Sequence, residues 1–73
     1  MTRSECKTAI GKCIARARKR RGLTIEKLAY EAGVSKGNLS DIEAGKKDVR
    51  FSTLIALAGA LDIHISVLLR DIS

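Results

Sequence analysis

The sequence contains no proline and no tryptophan, and its only aromatic residues are Tyr30 and Phe51. Without proline, no pyrrolidine ring is present to interrupt a helix. Two aromatic side chains are too few for the stacking platform on which proteins bind single-stranded nucleic acid. Their scarcity therefore disfavours single-strand binding by base stacking.

Cysteine and histidine are also scarce, with Cys6, Cys13 and His64 as the only members of the two types. The cysteines lie in a segment of helical periodicity, roughly 10 Å apart along the axis, which is too far for an intrahelical disulfide. Two cysteines and one histidine do not supply the four ligands of a structural zinc site at motif spacing. We therefore expect small core cysteines and no metal or other cofactor.

Long hydrophobic runs are absent as well. The longest run, LIALAGAL from Leu54 to Leu61, is less than half of a membrane span, and the initial MTRSECK lacks the apolar centre of a secretory signal. No glycine-rich phosphate loop and no nucleophile with a base partner is recognisable. We therefore expect a cytoplasmic protein that is not an enzyme and does not bind membranes. Adhesion of the basic first helix to an anionic membrane surface is a minor alternative.

The chain does have a marked excess of positive charge. Its 73 residues include 14 Lys plus Arg and 8 Asp plus Glu, for a formal charge of +6, and 45% of the residues are hydrophobic. Such a chain can bury one small core and form one domain. A basic surface on a small globular domain indicates an anionic partner.

Apolar residues recur at helical spacing along most of the chain, which predicts an all-α bundle. Thr24 and Ser35 stand where N-caps are expected, and glycines follow three of the periodic segments. The first helix has an apolar stripe made of Cys6, Ile10, Cys13, Ile14 and Ala17. The first predicted helix ends at Gly22. The second runs from about Ile25 to Ala32 and is stopped by Gly33, and the third, capped by Ser35, runs to about Ala44 and is stopped by Gly45. A fourth helix is predicted from Leu54 to Leu61.

The C-terminal segment DIHISVLLRDIS has two periodicities. Ile63, Ile65, Val67 and Leu69 alternate as in a strand, whereas other apolar residues of the segment recur as in a helix. Periodicity leaves both structures open. His64 stands where a fifth helix would be capped.

The segment from Ile25 to Ala44 has helix-turn-helix spacing. Ala29 supplies a small side chain where two helices cross, Gly33 permits a tight turn, and apolar residues lie behind them. With RGLTIEKLAYEAGVS, LSDIEAGKK and LIALAGALDIHISVLL, the chain resembles the phage-repressor and Cro type of helix-turn-helix domain. This lambda-repressor-like, xenobiotic-response-element family also includes controller proteins of restriction-modification systems. The resemblance implies a compact five-helix bundle, with residues 1–73 as one DNA-binding domain and a dimerisation segment at about 62–73.

The third helix carries the predicted base-reading face. With Leu39 and Ile42 directed inward, rotation by about 100° per residue directs Gly37, Ser40 and Asp41 outward. Lysine can donate to guanine, asparagine can pair with adenine, and aspartate can accept from cytosine. Solvated surface roles for Asn38, Ser40 and Asp41 are the alternative. The predicted base-reading residues are Ser35, Lys36, Gly37, Asn38, Ser40 and Asp41.

Further roles are implied by the family resemblance. Arg18 matches an arginine that pairs with a third-helix glutamate, here Glu43, in a scaffold role. Many relatives begin the second helix with a glutamine that touches phosphate and braces the third helix, and this chain has Ile25 instead. That contact is expected to be absent or to come from Thr24 or Lys27. The other DNA-backbone or minor-groove candidates are Lys46, Lys47 and Arg50, and ordinary solvated loop positions are the alternative for the lysines.

Affinity in so small a domain is expected to come from pairing. A homodimer would place two recognition helices roughly 34 Å apart, one turn of DNA, on a palindromic or nearly palindromic operator. Near a promoter, and its own promoter among others, such a dimer would block or recruit RNA polymerase. An antitoxin-type module that binds a protein partner as well as DNA is the alternative function. A place in the core is the alternative for each of the predicted dimer contacts. Following the resemblance, these are Ile63, Ile65, Val67, Leu69 and Ile72.

Overall fold

A computed structural model of the protein describes residues 2–70. Residues 2–70 form five α-helices and contain no strand. The predicted all-α, five-helix architecture is therefore confirmed, and the segment with two periodicities is helical as far as Leu69. Ile72 lies outside the described residues. The helices are α1 (Arg3–Arg20), α2 (Ile25–Ala32), α3 (Lys36–Glu43), α4 (Phe51–Ala60) and α5 (Ile65–Leu69).

Three of the helices begin at the caps that the sequence predicts. The side chains of Thr24 and Ser35 accept hydrogen bonds from backbone N–H groups three residues later, each at 3.1 Å. His64 caps α5, because its Nδ1 accepts from the Ser66 backbone N–H at 3.2 Å. Each cap satisfies one of the donors that a helix leaves unpaired in its first turn. By contrast, Arg50 precedes α4 without a side-chain hydrogen bond to that helix.

The turn between α2 and α3 is set by Gly33, which has a left-handed φ of 73°. The Gly33 N–H donates to Tyr30 O at 3.2 Å and the Val34 N–H donates to Ala29 O at 2.9 Å. This pair of bonds is a Schellman ending, and glycine adopts the required conformation without steric cost. Asp62 ends α4 in the same way with a φ of 56°. It is the one non-glycine residue of the described chain in that region.

The five helices enclose one apolar core. α1 packs on α3 and α5, α2 packs on α3 and α4, and α4 packs on α5. Full burial of each large aliphatic side chain contributes roughly 1.5–3 kcal/mol. Cys13 is buried as expected, whereas Cys6 is only half-buried, which corrects the expectation of two core cysteines. The core consists of Ile14, Leu28, Ala29, Leu39, Ile42, Leu54, Leu57, Ala58, Leu61 and Leu68.

Gly11 marks the closest approach of α1 to α3. It is buried in the middle of α1, and a β-carbon built on it would lie 2.7 Å from Glu43 O and would also collide with Ile42 O. Only a residue without a side chain fits this contact. The end of α3 therefore rests directly on the backbone of α1.

The length and polarity of the helices also bear on membrane insertion. None of the helices formed by residues 2–70 is both long and apolar enough to cross a bilayer.

Candidate nucleic-acid interface

The outward face of α3 has the composition that the helix rotation predicts. Leu39 and Ile42 are buried, whereas Lys36, Gly37 and Ser40 are exposed. Asn38 and Asp41 are partly exposed, and Ala44 is exposed just after the helix ends. The N-terminal half of α3 therefore presents small and polar side chains to solvent, as a helix that enters the major groove does.

A salt bridge crosses from α2 to the start of α3. Lys36 Nζ donates to Glu26 Oε1 at 2.8 Å, and both side chains are exposed. Thr24 uses its hydroxyl oxygen to cap α2, and Lys27 lies 3.7 Å from Glu31 on its own helix. Within residues 2–70, the ion pair that joins α2 to the start of α3 therefore involves Glu26.

The salt bridge alters the acidity of Glu26. The hydrogen bond from Lys36, reinforced by its positive charge, lowers the pKa of the Glu26 carboxyl below its usual value. A carboxyl with a lowered pKa in the folded state stabilises that state above its unfolded pKa. This contribution is lost as the pH falls through the lower, folded pKa.

Replacing Lys36 with methionine should therefore raise the Glu26 pKa back toward the ordinary glutamate value. Methionine keeps much of the side-chain length but removes the charge and the donor. Carboxyl chemical shifts followed by NMR during an acid titration would give the midpoint in both proteins. Identical Glu26 midpoints would contradict the salt bridge in solution.

The loop after α3 holds a second pair of charges. Lys47 Nζ lies 3.5 Å from Asp41 Oδ2, so this lysine partly neutralises the carboxylate on the α3 face. Lys46 is exposed and forms no ion pair within residues 2–70. The two neighbouring lysines therefore differ in how much of their charge is already compensated.

Arg50 borders a groove between α3 and the start of α4. The groove has a volume of about 290 Å³, and Asn38 contributes to its wall. Asn38 therefore lies beside α4, in addition to flanking the outward face of α3. Thr53 also lines this groove. No local sequence signal predicts this, because Thr53 is fifteen positions from Asn38.

Arg18 and Glu43 form the ion pair that the family resemblance implies. Arg18 Nε donates to Glu43 Oε2 at 2.8 Å, and its Nη2 donates to Oε1 at 3.0 Å. Arg18 Nη1 also donates to Leu23 O at 2.8 Å. The two side chains are only 12% and 8% exposed. One guanidinium group thus joins α1, the α1–α2 turn and the end of α3.

Most of the predicted dimer residues are already partly buried within the domain. Ile63, Ile65 and Leu69 are half-buried and pack against the core, and Val67 is half-buried. On α4, in contrast, Phe51 is 67% exposed and Ile55 is 50% exposed. These two lie four positions apart and share a face of the helix. The sequence prediction of a helix that starts at Leu54 left out Phe51, so this apolar face was not predicted.

The described side chains also bear on metal binding. Within residues 2–70, no group of three or more His, Cys, Asp or Glu side chains is arranged to hold a metal ion.

Comparison with known proteins assigns the family. A model of the helix-turn-helix family HTH_3 matches residues 14–68. The chain belongs to this family. It is 42% identical over 62 residues to the immunity repressor protein of Bacillus phage phi105, a match that covers 85% of this chain and 43% of the phage protein. It is 37% identical over 62 residues to the transcriptional regulator ClgR of Mycobacterium tuberculosis, with 85% and 55% coverage.

Solved structures of this family have the same arrangement of helices. The restriction-modification controller protein C.AhdI from Aeromonas hydrophila matches with a TM-score of 0.86 and 28% identity, covering 88% of this chain and 97% of the controller. The clp gene regulator ClgR from Corynebacterium glutamicum matches with a TM-score of 0.85 and 31% identity, covering 89% and 84%. The family and fold implied by the sequence resemblance are thus confirmed. The chain spans about half the length of the two curated relatives.

Proposed function

We propose that this protein is a sequence-specific regulator of transcription that binds double-stranded DNA as a homodimer on a palindromic or nearly palindromic operator. The observation that carries the proposal is the exposed polar face at the start of α3, which belongs to a helix-turn-helix. The sequence similarity to a phage repressor and to a transcriptional regulator supports the proposal.

In the proposed complex the N-terminal half of α3 enters the major groove. Gly37 and Ser40 are small and exposed, so the helix can approach the base edges closely. Ser35 is exposed at the helix start and can donate from its hydroxyl. Lys36 can leave Glu26 at little cost, because both side chains are exposed and surface ion pairs contribute little to stability. Its ammonium then donates to guanine, and Asn38 or Asp41 contacts a neighbouring base pair.

Phosphate contacts would orient the domain on the duplex. Lys46 and Lys47 follow the recognition helix, and Arg50 lies beside the groove at the start of α4. Thr24 and Lys27 flank the start of α2 and are the remaining proposed phosphate contacts. Such contacts supply affinity for DNA of any sequence. Each neutralised phosphate changes the slope of the logarithm of the binding constant against the logarithm of the salt concentration by about 0.9.

Lys47→Ala should weaken binding to every duplex and reduce the salt slope by about one, since one phosphate contact is lost. Lys36→Ala, made in a Glu26→Gln background so that no carboxylate is left unpaired, should mainly relax the preference at one base pair, by about 1–3 kcal/mol. Fluorescence anisotropy on operator and scrambled duplexes at several salt concentrations would separate the two effects.

Lys46→Ala removes a second proposed phosphate contact but leaves the Lys47–Asp41 pair intact. Both variants should lose salt slope, and the Lys47 variant should bind more weakly than the Lys46 variant because it also leaves the Asp41 carboxylate without its cation. Equal, sequence-independent losses for Lys36 and Lys47 would contradict the base-reading role of Lys36.

The proposed homodimer needs an apolar contact surface. Phe51 and Ile55 offer more exposed area than the half-buried α5 residues Ile63, Ile65 and Leu69, and α4 packs against α5. We therefore place the contact on this side of the bundle. A dimer would present two recognition helices to successive major grooves, which raises both affinity and specificity.

Ile55→Glu should convert the dimer to a monomer and weaken operator binding. A carboxylate at a contact that excludes water is costly, whereas the same side chain is solvated in the monomer. Light scattering after size-exclusion chromatography would measure the mass. Tyr30→Glu is the control, because Tyr30 is 82% exposed on α2. An Ile55 variant that stays dimeric would place the interface elsewhere.

At a promoter, the bound dimer would block or recruit RNA polymerase, and its own promoter is among the proposed targets. The similarity to an immunity repressor and to a restriction-modification controller supports regulation of this kind.

A further inference from the structure

Two lysines of the proposed DNA interface are held by carboxylates in the free protein. Lys36 Nζ lies 2.8 Å from Glu26 Oε1, and Lys47 Nζ lies 3.5 Å from Asp41 Oδ2. The contact of Lys36 is the shorter of the two, and it crosses from one helix of the helix-turn-helix to the other. Before DNA binds, the proposed guanine donor is therefore already bound to an anion of its own chain.

Glu26 stands where a DNA backbone would approach the domain. A groove of about 400 Å³ lies between the start of α2 and the start of α3. Thr24, a proposed phosphate contact, shares this groove with Glu26, whose side chain is 72% exposed. Arg18 also lines the groove, but its guanidinium is paired with Glu43. A phosphate that reaches the groove therefore meets the Glu26 carboxylate, with Lys36 between the two anions.

We propose that Glu26 is a specificity-determining residue, because its carboxylate competes with the DNA backbone for Lys36. On a duplex of arbitrary sequence the acceptors offered to a lysine are mainly phosphate oxygens. Exchanging a carboxylate for a phosphate oxygen gains little and leaves Glu26 unpaired beside the phosphates. Because it acts on the proposed base-reading lysine, this role rests on the proposed function.

The operator differs from other duplexes in what it offers to Lys36. A guanine edge presents O6 and N7, and contact with both contributes more than an exposed ion pair does. Lys36 therefore leaves Glu26 for the correct base and remains with Glu26 on incorrect sequences. Weakening the incorrect complexes is one of the two ways in which a protein achieves specificity.

Salt titrations of the full chain test this role, with fluorescence anisotropy on an operator selected from a duplex library and on a scrambled duplex. Glu26→Gln keeps the side-chain length and removes the charge, so Lys36 gains a phosphate contact on the scrambled duplex. There the slope of the logarithm of the binding constant against the logarithm of the salt concentration should steepen by about 0.9. Scrambled DNA should bind about fivefold more tightly at ~150 mM salt, and the operator less than about twofold more tightly.

Asp62→Asn is the matched control, because it removes the same charge from an exposed carboxylate that follows α4 and pairs with Arg21. Neither residue is a proposed DNA contact, and asparagine tolerates the left-handed backbone of this position. The salt slope of this variant on the scrambled duplex should change by less than about 0.3, since no phosphate contact is gained. In a Lys36→Met background, Glu26→Gln should leave the slope unchanged, because the lysine that Glu26 holds is gone.

A slope gain that occurs on the scrambled duplex and requires Lys36 would support the role of Glu26. No gain, an equal gain on the operator, an equal gain for Asp62→Asn or a gain that persists in the Lys36→Met background would overturn it. Failure of the proposed function would look different, since the parent would then bind both duplexes equally and have no specificity for Glu26 to determine. A parent that prefers the operator, with slopes that Glu26→Gln does not change, would overturn the role of Glu26 alone.

Discussion

Replacing Gly11 with alanine is expected to remove about 2–4 kcal/mol from the free energy of unfolding. The added methyl group would collide with the backbone oxygens of Ile42 and Glu43, and a backbone cannot move aside as the end of a side chain can. Alanine is the better helix former by about 1 kcal/mol, so the steric cost must exceed that gain. Urea unfolding monitored by circular dichroism would measure the difference.

Gly59→Ala is the matched control for this prediction. Gly59 also lies inside a helix, α4, but a β-carbon built there meets no atom within 4 Å. This variant should be more stable than the parent by roughly 0.5–1 kcal/mol. A Gly11 variant that gained as much stability as the Gly59 variant would contradict the close approach of α1 to α3.

Removing the charge of Arg18 is the second substitution with a large expected effect. Arg18→Met should cost about 3–5 kcal/mol, because Glu43, whose side chain is only 8% exposed, would lose its cation. Leu23 O would lose a hydrogen bond as well. In a domain whose total stability is typically about 5–15 kcal/mol, such a loss would leave the variant marginally folded.

A double-mutant cycle tests whether the two charges act together. Arg18→Met combined with Glu43→Leu removes both partly buried charges, so the double variant should be more stable than the sum of the two single losses predicts. Denaturant unfolding of the parent, the two single variants and the double variant gives the coupling free energy between the two side chains. Additive losses would mean that the two side chains stabilise the fold independently, and the scaffold role would be wrong.

The scaffold and the proposed DNA face meet in α3, whose two ends are held differently. At its C-terminal end the partly buried Arg18–Glu43 pair and the Gly11 contact fix α3 against α1. At its N-terminal end the Ser35 cap and the exposed Glu26–Lys36 pair are the connections. Breaking the first pair should be costly, because one charge would be left without its partner, whereas the second pair can be exchanged at little cost. This difference suits a helix whose position is fixed and whose first residues bind a ligand.

The sequence predicted those features that depend on local signals. Caps such as Thr24 and Ser35 act on donors two or three residues away, and Gly33 sets the backbone of its own turn. The rotation of α3 follows from Leu39 and Ile42, because the helix period is fixed. The Arg18–Glu43 pair, 25 positions apart, was accessible only through the family resemblance.

The remaining features depend on contacts between distant residues or on weak local signals. Glu26 and Lys36 meet because the Gly33 turn brings two helices together, and no periodicity joins residues ten positions apart. Gly11 has no local conformational role, so its importance appears only when α3 lies against it. α4 begins at Phe51, after an arginine that makes no side-chain cap, which removes the usual signal for a helix start. α5 has five residues, too few to separate helical from alternating periodicity.

Selection of binders from a random duplex library at ~150 mM salt, followed by sequencing of the enriched pool, tests the central claim most directly. The proposed function predicts a motif with two-fold symmetry and half-sites about ten base pairs apart, one for each recognition helix of the dimer. An enriched motif that loses information at one position when Lys36 is replaced would also assign that residue to a base. Absence of any enriched sequence would contradict sequence-specific regulation and would favour a protein-binding module of the antitoxin type.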